Sequence, residues 1–391
     1  MSGPPAGKSR PRVLFVSRCL DQGGAERFVS TALCRLDPAR FDLRLCLFRR
    51  ILGYPLPDAV PVRVLMRPLE HRHWHLAPLV WRLARTLDEV EPEVVVSAYA
   101  YPSFVVGAAL RLARRRPRWL ARVAIHPQRG ETGLRRALLA LAYRRADSFV
   151  ANSAGLAELY PRVYPRARGR IAHLPNATDF ERIDALAREP LAEPAAPRTR
   201  PLLVAAGRLS REKRVDLMIE AVDRVRRQRD LELVVCGDGP LRGALARQAA
   251  ERGLAGHVRF LGHCPNPFQW MARADLFLLA SDHEGSPNAL IEAQGLGVPA
   301  VASDCEFGPS EIVEPGRTGW LVPTGDAGAL ADAIAGALSE RQALAEMGRA
   351  ARLRARERFG AAPIVAALAA HLERLADPAE PRAAPLARRT A

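Results

Sequence analysis

Lysine is almost missing from this chain. Of 58 basic side chains only Lys8 and Lys213 are lysines, so the positive surface is built of arginine. Arginine presents a planar fork and lysine a compact charge suited to a single phosphate oxygen, so a lysine kept in a strand-end loop signals a geometric demand. Cysteine is sparse: the six (19, 34, 46, 236, 264, 305) form no CxxC pair, and Cys19, Cys46, Cys236 and Cys305 sit in or beside apolar runs. That pattern excludes a zinc ribbon and a disulfide scaffold and predicts buried, reduced thiols in a cytoplasmic chain. Long apolar runs are lacking as well. The longest uncharged stretch, 94–110, contains Ser97, Pro102 and Ser103 and falls short of a membrane span, so it reads as a buried strand followed by a helix. The opening MSGPPAGKSRPR is polar and proline-rich, and VLFV after it is too short for a secretory signal core.

What is present describes a globular protein. The chain has 391 residues, 48% hydrophobic and 26% charged, enough for two domains with sizeable cores. Its net charge of +16 is uneven. Arg111, Arg114, Arg115, Arg116, Arg118 and Arg122 crowd around Trp119. Just downstream, Leu134, Leu138 and Leu141 share one helical face with Arg135, Arg136, Arg144 and Arg145 nearby. Helix-turn-helix, zinc-finger and aromatic RNA-binding signatures are lacking, which argues against nucleic acid. An anionic membrane surface and a merely solvated face both remain open.

Two halves repeat one rhythm. RVLFVS, FDLRLCLF, EVVVSA, ARVAIH, DSFVANS and RIAHLP alternate with helical segments in the first; PLLVAAG, LELVVCG, HVRFLG, ADLFLLAS, PAVAS and GWLVP do so in the second. Short continuous apolar strands between helices predict parallel sheets covered on both faces, hence two doubly wound α/β domains. The expected plan is a disordered start at 1–10 and a first Rossmann-like domain at 11–185. A Pro/Ala-rich linker at 186–200 leads to a second such domain at 201–360. A helix at 361–376 packs back across the domains and a disordered basic tail fills 377–391. Ligands in such sheets bind beyond the carboxyl ends of the strands, which predicts a site in the cleft between domains.

Four loops at strand ends carry the candidate chemistry. Gly23 and Gly24 follow the first strand and let backbone approach a phosphate or sugar closely. GRLSREK offers Arg208 and Lys213 after the first strand of the second half, and Gly237-Asp238-Gly239 follows the next. In HEGSPNALIEAQ, Ser286 reads as a helix N-cap and Pro287 as the first helical residue. Glu284 then precedes the helix tip, and Glu292 lies about 9 Å down its axis from Ser286. EHRHWH (His71, His73, His75) invites a metal reading, but no carboxylate or cysteine set completes it and a loop is expected.

G-R-L-x-x-x-K at 207–213, G-D-G-P at 237–240, E-G-S-P-N-x-L-x-E at 284–292 and the opening G-G-A-E-R together resemble glycosyltransferase family 4 across roughly 11–375. The segment SDCEFGPSEI, 303–312, is similar to that of bacterial members that build surface polysaccharide or lipid-linked oligosaccharide. The resemblance implies the two-domain GT-B fold and retaining transfer from a nucleotide-diphosphate sugar, UDP by family habit, with no metal or other cofactor. It implies that Arg208 and Lys213 neutralise the diphosphate, that Glu292 holds the ribose, and that Glu284 lies at the transferred sugar. The backbone at Gly285, Ser286 and Asn288 would cradle phosphate, Gly23, Gly24 and Gly237 would let ligand approach, and His126 would face the donor sugar. Ala177 stands where Asn176 is commonly followed by glycine, so a ligand contact from that loop is not implied. The expected activity is hexosyl or N-acetylhexosaminyl transfer to a lipid-linked or polysaccharide acceptor, at the inner face of the cytoplasmic membrane. A nucleotide-sugar epimerase of the same fold and a non-catalytic basic membrane- or nucleic-acid-binding protein are the competing readings.

Overall fold

The computed structural model describes residues 10–21, 23–66, 76–127, 133–191 and 199–380. Thirteen strands occur among them. β1 is Arg12–Ser17, β2 Asp42–Leu47, β3 Val62–Val64, β4 Val94–Ser97, β5 Arg118–Val123, β6 Ser148–Ala151 and β7 Ile171–His173. β8 is Leu202–Ala206, β9 Glu232–Cys236, β10 Val258–Gly262, β11 Leu276–Leu279, β12 Ala300–Ser303 and β13 Gly319–Val322. They form two sheets, ordered β3-β2-β1-β4-β5-β6-β7 and β10-β9-β8-β11-β12-β13, and every pairing is parallel.

Both faces of the second sheet are buried at its central strands β9, β8, β11 and β12, which is why these read as apolar runs. Leu203, Ala205, Leu233, Val235, Leu276 and Leu278 enter one core, while Leu202, Val204, Val234, Phe277, Ala300 and Ala302 enter the other. Alternate residues of a pleated strand must point to opposite faces, so covering both with helices leaves no place for a polar residue. β3 breaks the pattern and carries no sequence signal. Its three residues, VRV, form a largely exposed edge with arginine at the centre.

The described residues divide into two units, one running to Ala177 and resuming at Ala361, the other Thr178–Gly360. This moves the boundary expected after 185. Helix Phe180–Arg188 belongs to the second unit, where Phe180 and Ile183 join the core. The first residues assigned to the linker are also ordered there: Asn266 Nδ2 donates to the Leu186 carbonyl at 2.8 Å and Gln269 Nε2 to the Pro190 carbonyl at 2.7 Å. The expected tail likewise begins later, because Arg118 Nη2 donates to the Glu380 carbonyl. At the other end Arg10 donates to the Pro38 carbonyl at 2.8 Å. Residues 1–9, 192–198 and 381–391 and the triple-histidine loop lie outside the described residues.

The basic crowd around Trp119 resolves into two populations. Trp119 is fully buried, its indole N–H on Ser97 Oγ at 2.9 Å, and Arg118 and Arg122 on the same strand are buried too. Arg122 lies 4.4 Å from the Phe28 ring centroid and donates to Asn176 Oδ1 at 2.6 Å; burial pushes its pKa down to about 10. These two arginines are structural. The surface charge belongs to Arg111, Arg114, Arg115 and Arg116, all at least partly exposed.

Helix Ala361–Ala376 packs on the first unit, with Ile364, Val365, Leu368 and Leu372 in the core beside β1 and β4. Its His371 Nε2 meets Ser148 Oγ at 2.8 Å, and burial, then the charge of Arg374, pushes the imidazole down to about 4. A histidine that resists protonation when folded but accepts it near 6.5 when unfolded favours the folded state fully above pH 6.5 and loses that contribution as pH falls towards 4. The melting temperature should therefore fall faster over this window than that of His371→Gln, which keeps a polar partner for Ser148 and does not titrate. Parallel curves would show that the imidazole is not linked to folding.

Candidate active site

In the second sheet the strand order reverses between β8 and β11, the switch point where ligands of open α/β sheets bind. The chain leaving β8 forms Gly207, Arg208, Leu209 and Ser210, then a 3-10 turn at Arg211–Lys213. The chain leaving β11 forms Ser281 to Pro287 and enters helix Asn288–Gly295. The two loops are bolted together three ways. The Asp282 amide donates to the Glu212 carbonyl at 2.8 Å, Arg214 Nη1 reaches Asp282 Oδ1 at 3.1 Å, and Lys213 Nζ meets Glu284 Oε1 at 2.6 Å.

Glu284 is held from two sides, since Ser281 Oγ donates to the same oxygen at 2.7 Å and is itself buried. Its side chain is only 10% exposed, that of Lys213 28%, so the pair opens to solvent through the lysine. Arg214 takes the left-handed conformation, φ 47 and ψ 43, between the turn and helix Val215–Arg226. That backbone disfavours a side chain. Paired bonds to Asp216 and Asp282 hold it there, which fixes the direction of Lys213 just before it. Cys305 lies near this pair, its thiol pushed up to about 12 by burial and then by the charge of Glu284, so it stays protonated.

A second stitch joins the loops after β8 and β9. The Gly207 amide donates to the Cys236 carbonyl at 3.0 Å and the Leu209 amide to the Asp238 carbonyl at 2.9 Å. Gly237, at φ 153, sits so close to Gly207 that an added Cβ would lie 1.8 Å from the Gly207 oxygen. The loop after β12 closes from the other side, where a Cβ on Gly308 would fall 2.7 Å from Pro287 Cδ.

The helix tip differs by one residue from expectation. Pro287 is the N-cap, with φ -72 and ψ 104, Asn288 is the first helical residue, and Ser286 lies outside. Proline satisfies the extended N-cap backbone and loses nothing by having no N–H, but it offers no side-chain cap. Glu292, buried at 3%, is then about 7.5 Å along the axis from the N-cap. Arg208 is exposed on its loop and makes no hydrogen bond or ion pair with Glu284 or Glu292 among the described residues. Gly285, Ser286 and Asn288 are half-buried in the loop and first helical turn.

In the first unit Gly23 is the N-cap and Gly24 the first residue of helix Gly24–Arg35, beyond the end of β1. His126 is buried, in the loop three residues after Val123; the strand stops short of the ARVAIH run that was expected to end on it. Among the described residues no three His, Cys, Asp or Glu side chains converge into a metal-binding group.

Residues 22–182 match the model of Glycosyltransferase Family 4, and 188–354 that of Glycosyl transferases group 1. A GDP-mannose-dependent alpha-(1-6)-phosphatidylinositol monomannoside mannosyltransferase of Mycolicibacterium smegmatis is 30% identical over 69% of this chain and 74% of its own length. The chain is a family 4 glycosyltransferase. A lipopolysaccharide core biosynthesis glycosyltransferase, LpsE, of Rhizobium meliloti is 32% identical to the enzyme over 53% of this chain, a match spanning 59% of that relative. A crystal structure of Anabaena Alr3699/HepE in complex with UDP and glucose superposes with a TM-score of 0.77 at 22% identity, covering 93% of this chain and 99% of that one. The fold of the enzyme is therefore GT-B.

Of the acids and bases singled out in the glycosyltransferase sequence, Lys213 and Glu284 are brought into contact. A helix that merely carried two surface acids would leave them without partnership to the cations of the neighbouring loop, and the Lys213–Glu284 contact excludes that reading for Glu284. Ser281, Arg214 and Asp282 were missed altogether. Adjacency to Lys213 and Glu284 was the available signal, whereas a left-handed arginine leaves no mark in sequence.

Proposed function

We propose that the protein transfers a hexose or N-acetylhexosamine from a UDP-sugar, with retention and without a metal, to a phosphate-bearing lipid or lipid-linked glycan at the cytoplasmic face of a membrane. The observation that carries this is the Lys213–Glu284 pair at the β8/β11 switch point. Donor diphosphate competes for Lys213, and Arg208 on the same loop adds a second cation. Together they stabilise the leaving nucleotide as charge develops, the task a metal performs elsewhere. Losing the lysine frees Glu284 for the hydroxyls of the sugar, while Glu292 takes the ribose. Helix Asn288–Gly295 supports this reading, since its N-terminal end carries partial positive charge that suits a phosphate. For Gly23, Gly24, Gly237 and His126 the support is the family resemblance. UDP is favoured by the UDP and glucose bound in the Anabaena structure, although the mycobacterial relative is named for GDP-mannose.

A membrane acceptor is supported by helix Gly133–Tyr143. Leu134, Leu138 and Leu141 stand 71%, 39% and 42% exposed along one face. Arg111 Nη2 donates to the Leu141 carbonyl at 3.1 Å at the end of that helix. Arg145 is so close to Arg116 and Arg111 that, after partial burial, their charges lower its pKa. Like charges gathered beside exposed leucines fit an anionic bilayer surface. No helix among the described residues is long and apolar enough to cross one.

The experiment is a panel of UDP- and GDP-sugars scored by thermal stabilisation, then by transfer to a lipid-phosphate acceptor in EDTA, with the product anomer read by NMR. Stabilisation by one UDP-sugar, EDTA-insensitive transfer and a retained anomer are expected. A new sugar nucleotide formed without acceptor would instead identify an epimerase. Vesicles with anionic lipid should retain the protein in low salt and release it in high salt, and equal retention on neutral vesicles would remove the electrostatic argument.

A further inference from the structure

One pair of side chains outside the Lys213–Glu284 site touches the frame that carries it. Cys236 is the last residue of β9 and is buried, and β9 runs between β8 and β10. Opposite it across the parallel ladder is Gly262, the last residue of β10, where the register slips by one residue. Gly262, at φ 70, bends the chain there, and its carbonyl accepts from the Gly237 amide at 2.9 Å. Two residues on, half-buried Cys264 comes back against the core that holds Cys236, and the two thiols share a hydrogen bond. With Cys236 as the donor, this bond lowers the Cys264 thiol to about 7 against its partial burial, helped by the Asn266 amide. The same bond, and then burial, raises the thiol of Cys236.

The two sulfurs divide the work that disulfide formation needs. Half-buried Cys264 is open to a reagent and has a large thiolate fraction at neutral pH, while Cys236 waits against it as the resolving partner. In a reducing compartment such a dithiol closes transiently rather than permanently. The Cys264 loop is braced on its far side, where Asn266 Nδ2 donates to the Leu186 carbonyl and to Glu189 Oε2, both at 2.8 Å. Drawing the sulfurs together therefore pulls on the end of β9 as well. That end is stitched to the loop carrying Arg208 and Lys213. The Cys236 carbonyl accepts from the Gly207 amide at 3.0 Å, and the Asp238 carbonyl from the Leu209 amide at 2.9 Å.

We propose that Cys236 and Cys264 are a reversible oxidation site: a small-molecule disulfide such as oxidised glutathione closes them into a Cys236–Cys264 bond, and the closed enzyme holds its nucleotide less tightly. The Cys264 thiolate attacks one sulfur of the oxidant, forming a mixed disulfide and expelling one thiolate. The Cys236 sulfur gives up its proton, attacks Cys264 Sγ and expels the second. Two protein thiols are oxidised, one small disulfide is reduced to two thiols, and the two protons pass through water to the released thiolates. The bond itself is independent of the proposed function. The loss of affinity rests on the reading of Arg208 and Lys213 as the cations that meet the diphosphate. Pulling β9 towards β10 slackens the Gly207 hydrogen bond and shifts that loop, and a displacement on the order of 1 Å is felt strongly where charges must meet.

The test incubates the full chain with reduced or oxidised glutathione, then reads tryptic peptides 230–242 and 260–273 by mass and UDP affinity by calorimetry. In oxidised glutathione the two peptides should be joined, with the mass of two hydrogens lost. UDP should then bind at least about fivefold more weakly, the lower end of usual coupling between sites, and dithiothreitol should restore it. Cys264→Ser should bind UDP within about twofold of the reduced wild type in either buffer. Peptides that stay separate overturn the proposal, as does a glutathione adduct on Cys264 that never goes on to cross-link. Joined protein with unchanged UDP affinity overturns the control of binding. An equal loss in oxidised Cys264→Ser assigns the effect to another thiol, such as exposed Cys34, and overturns it too. Melting curves confirm that the variant is folded, and the wild-type peptide map is decisive without it. Cross-linking in a protein that binds no UDP even when reduced fails the donor reading alone; UDP binding without cross-linking fails this inference alone.

Discussion

Lys213→Ala should lower kcat/KM by roughly 10²–10³-fold, the scale of losing one preorganised charge at a developing anion, with little change in melting temperature. The lysine is 28% exposed at the site and contributes little packing, so the loss falls on chemistry. Lys213→Arg is the sharper variant. With all but two of the 58 basic residues already arginine, substitution by one more is unremarkable for the composition. Yet the planar fork must enter a space set by a 2.6 Å contact of Nζ with Glu284, whose other anchor, Ser281, is buried. Arginine should therefore restore charge without geometry and leave activity at least about tenfold down. Steady-state kinetics with UDP titration on both variants checks this. Wild-type activity in Lys213→Arg would show that only charge matters, and wild-type activity in Lys213→Ala would end the proposed role.

Gly237→Ala should be the most destabilising single methyl in the second unit. Its Cβ would sit 1.8 Å from the Gly207 carbonyl oxygen, and backbone atoms on both sides leave no flexible side chain to yield. The ends of β8 and β9 must part, breaking the hydrogen bond that the Gly207 amide donates to the Cys236 carbonyl. Overpacking of this kind costs roughly 1–3 kcal/mol, and a backbone collision belongs at the upper end. At about 2–4 °C per kcal/mol for a unit of this size, the melting temperature should drop by roughly 6–12 °C. Because the β8 end carries the Lys213 loop, UDP affinity should fall with it. Gly336→Ala, where an added Cβ meets nothing within 4 Å, is the control and should not destabilise.

Much of the architecture was legible because its cause is local. A strand covered on both faces must be apolar throughout, which makes β4, β6, β11 and β12 plain; partly exposed β7 and β10 were still legible as short apolar runs, whereas β3, VRV on a largely exposed edge, was not. The acids and cations of the site were legible by type and by their place at strand ends. What escaped was orientation. Arg118 and Arg122 looked like surface charge and are buried, since at the level of composition an arginine paired inside is identical to one in water. The unit boundary escaped for a related reason: helix Phe180–Arg188 is amphipathic in either unit, and only its packing partners assign it.

The sequence by itself determined the two parallel doubly wound sheets and the set of residues at their strand ends, because hydrophobic periodicity and glycine placement act within a few residues along the chain. Tertiary structure alone decided that Lys213 meets Glu284 and that Arg214 is held left-handed by Asp216 and Asp282. Those contacts join segments tens of residues apart. Their energies depend on distances of a few ångströms, which only the packed sheets establish.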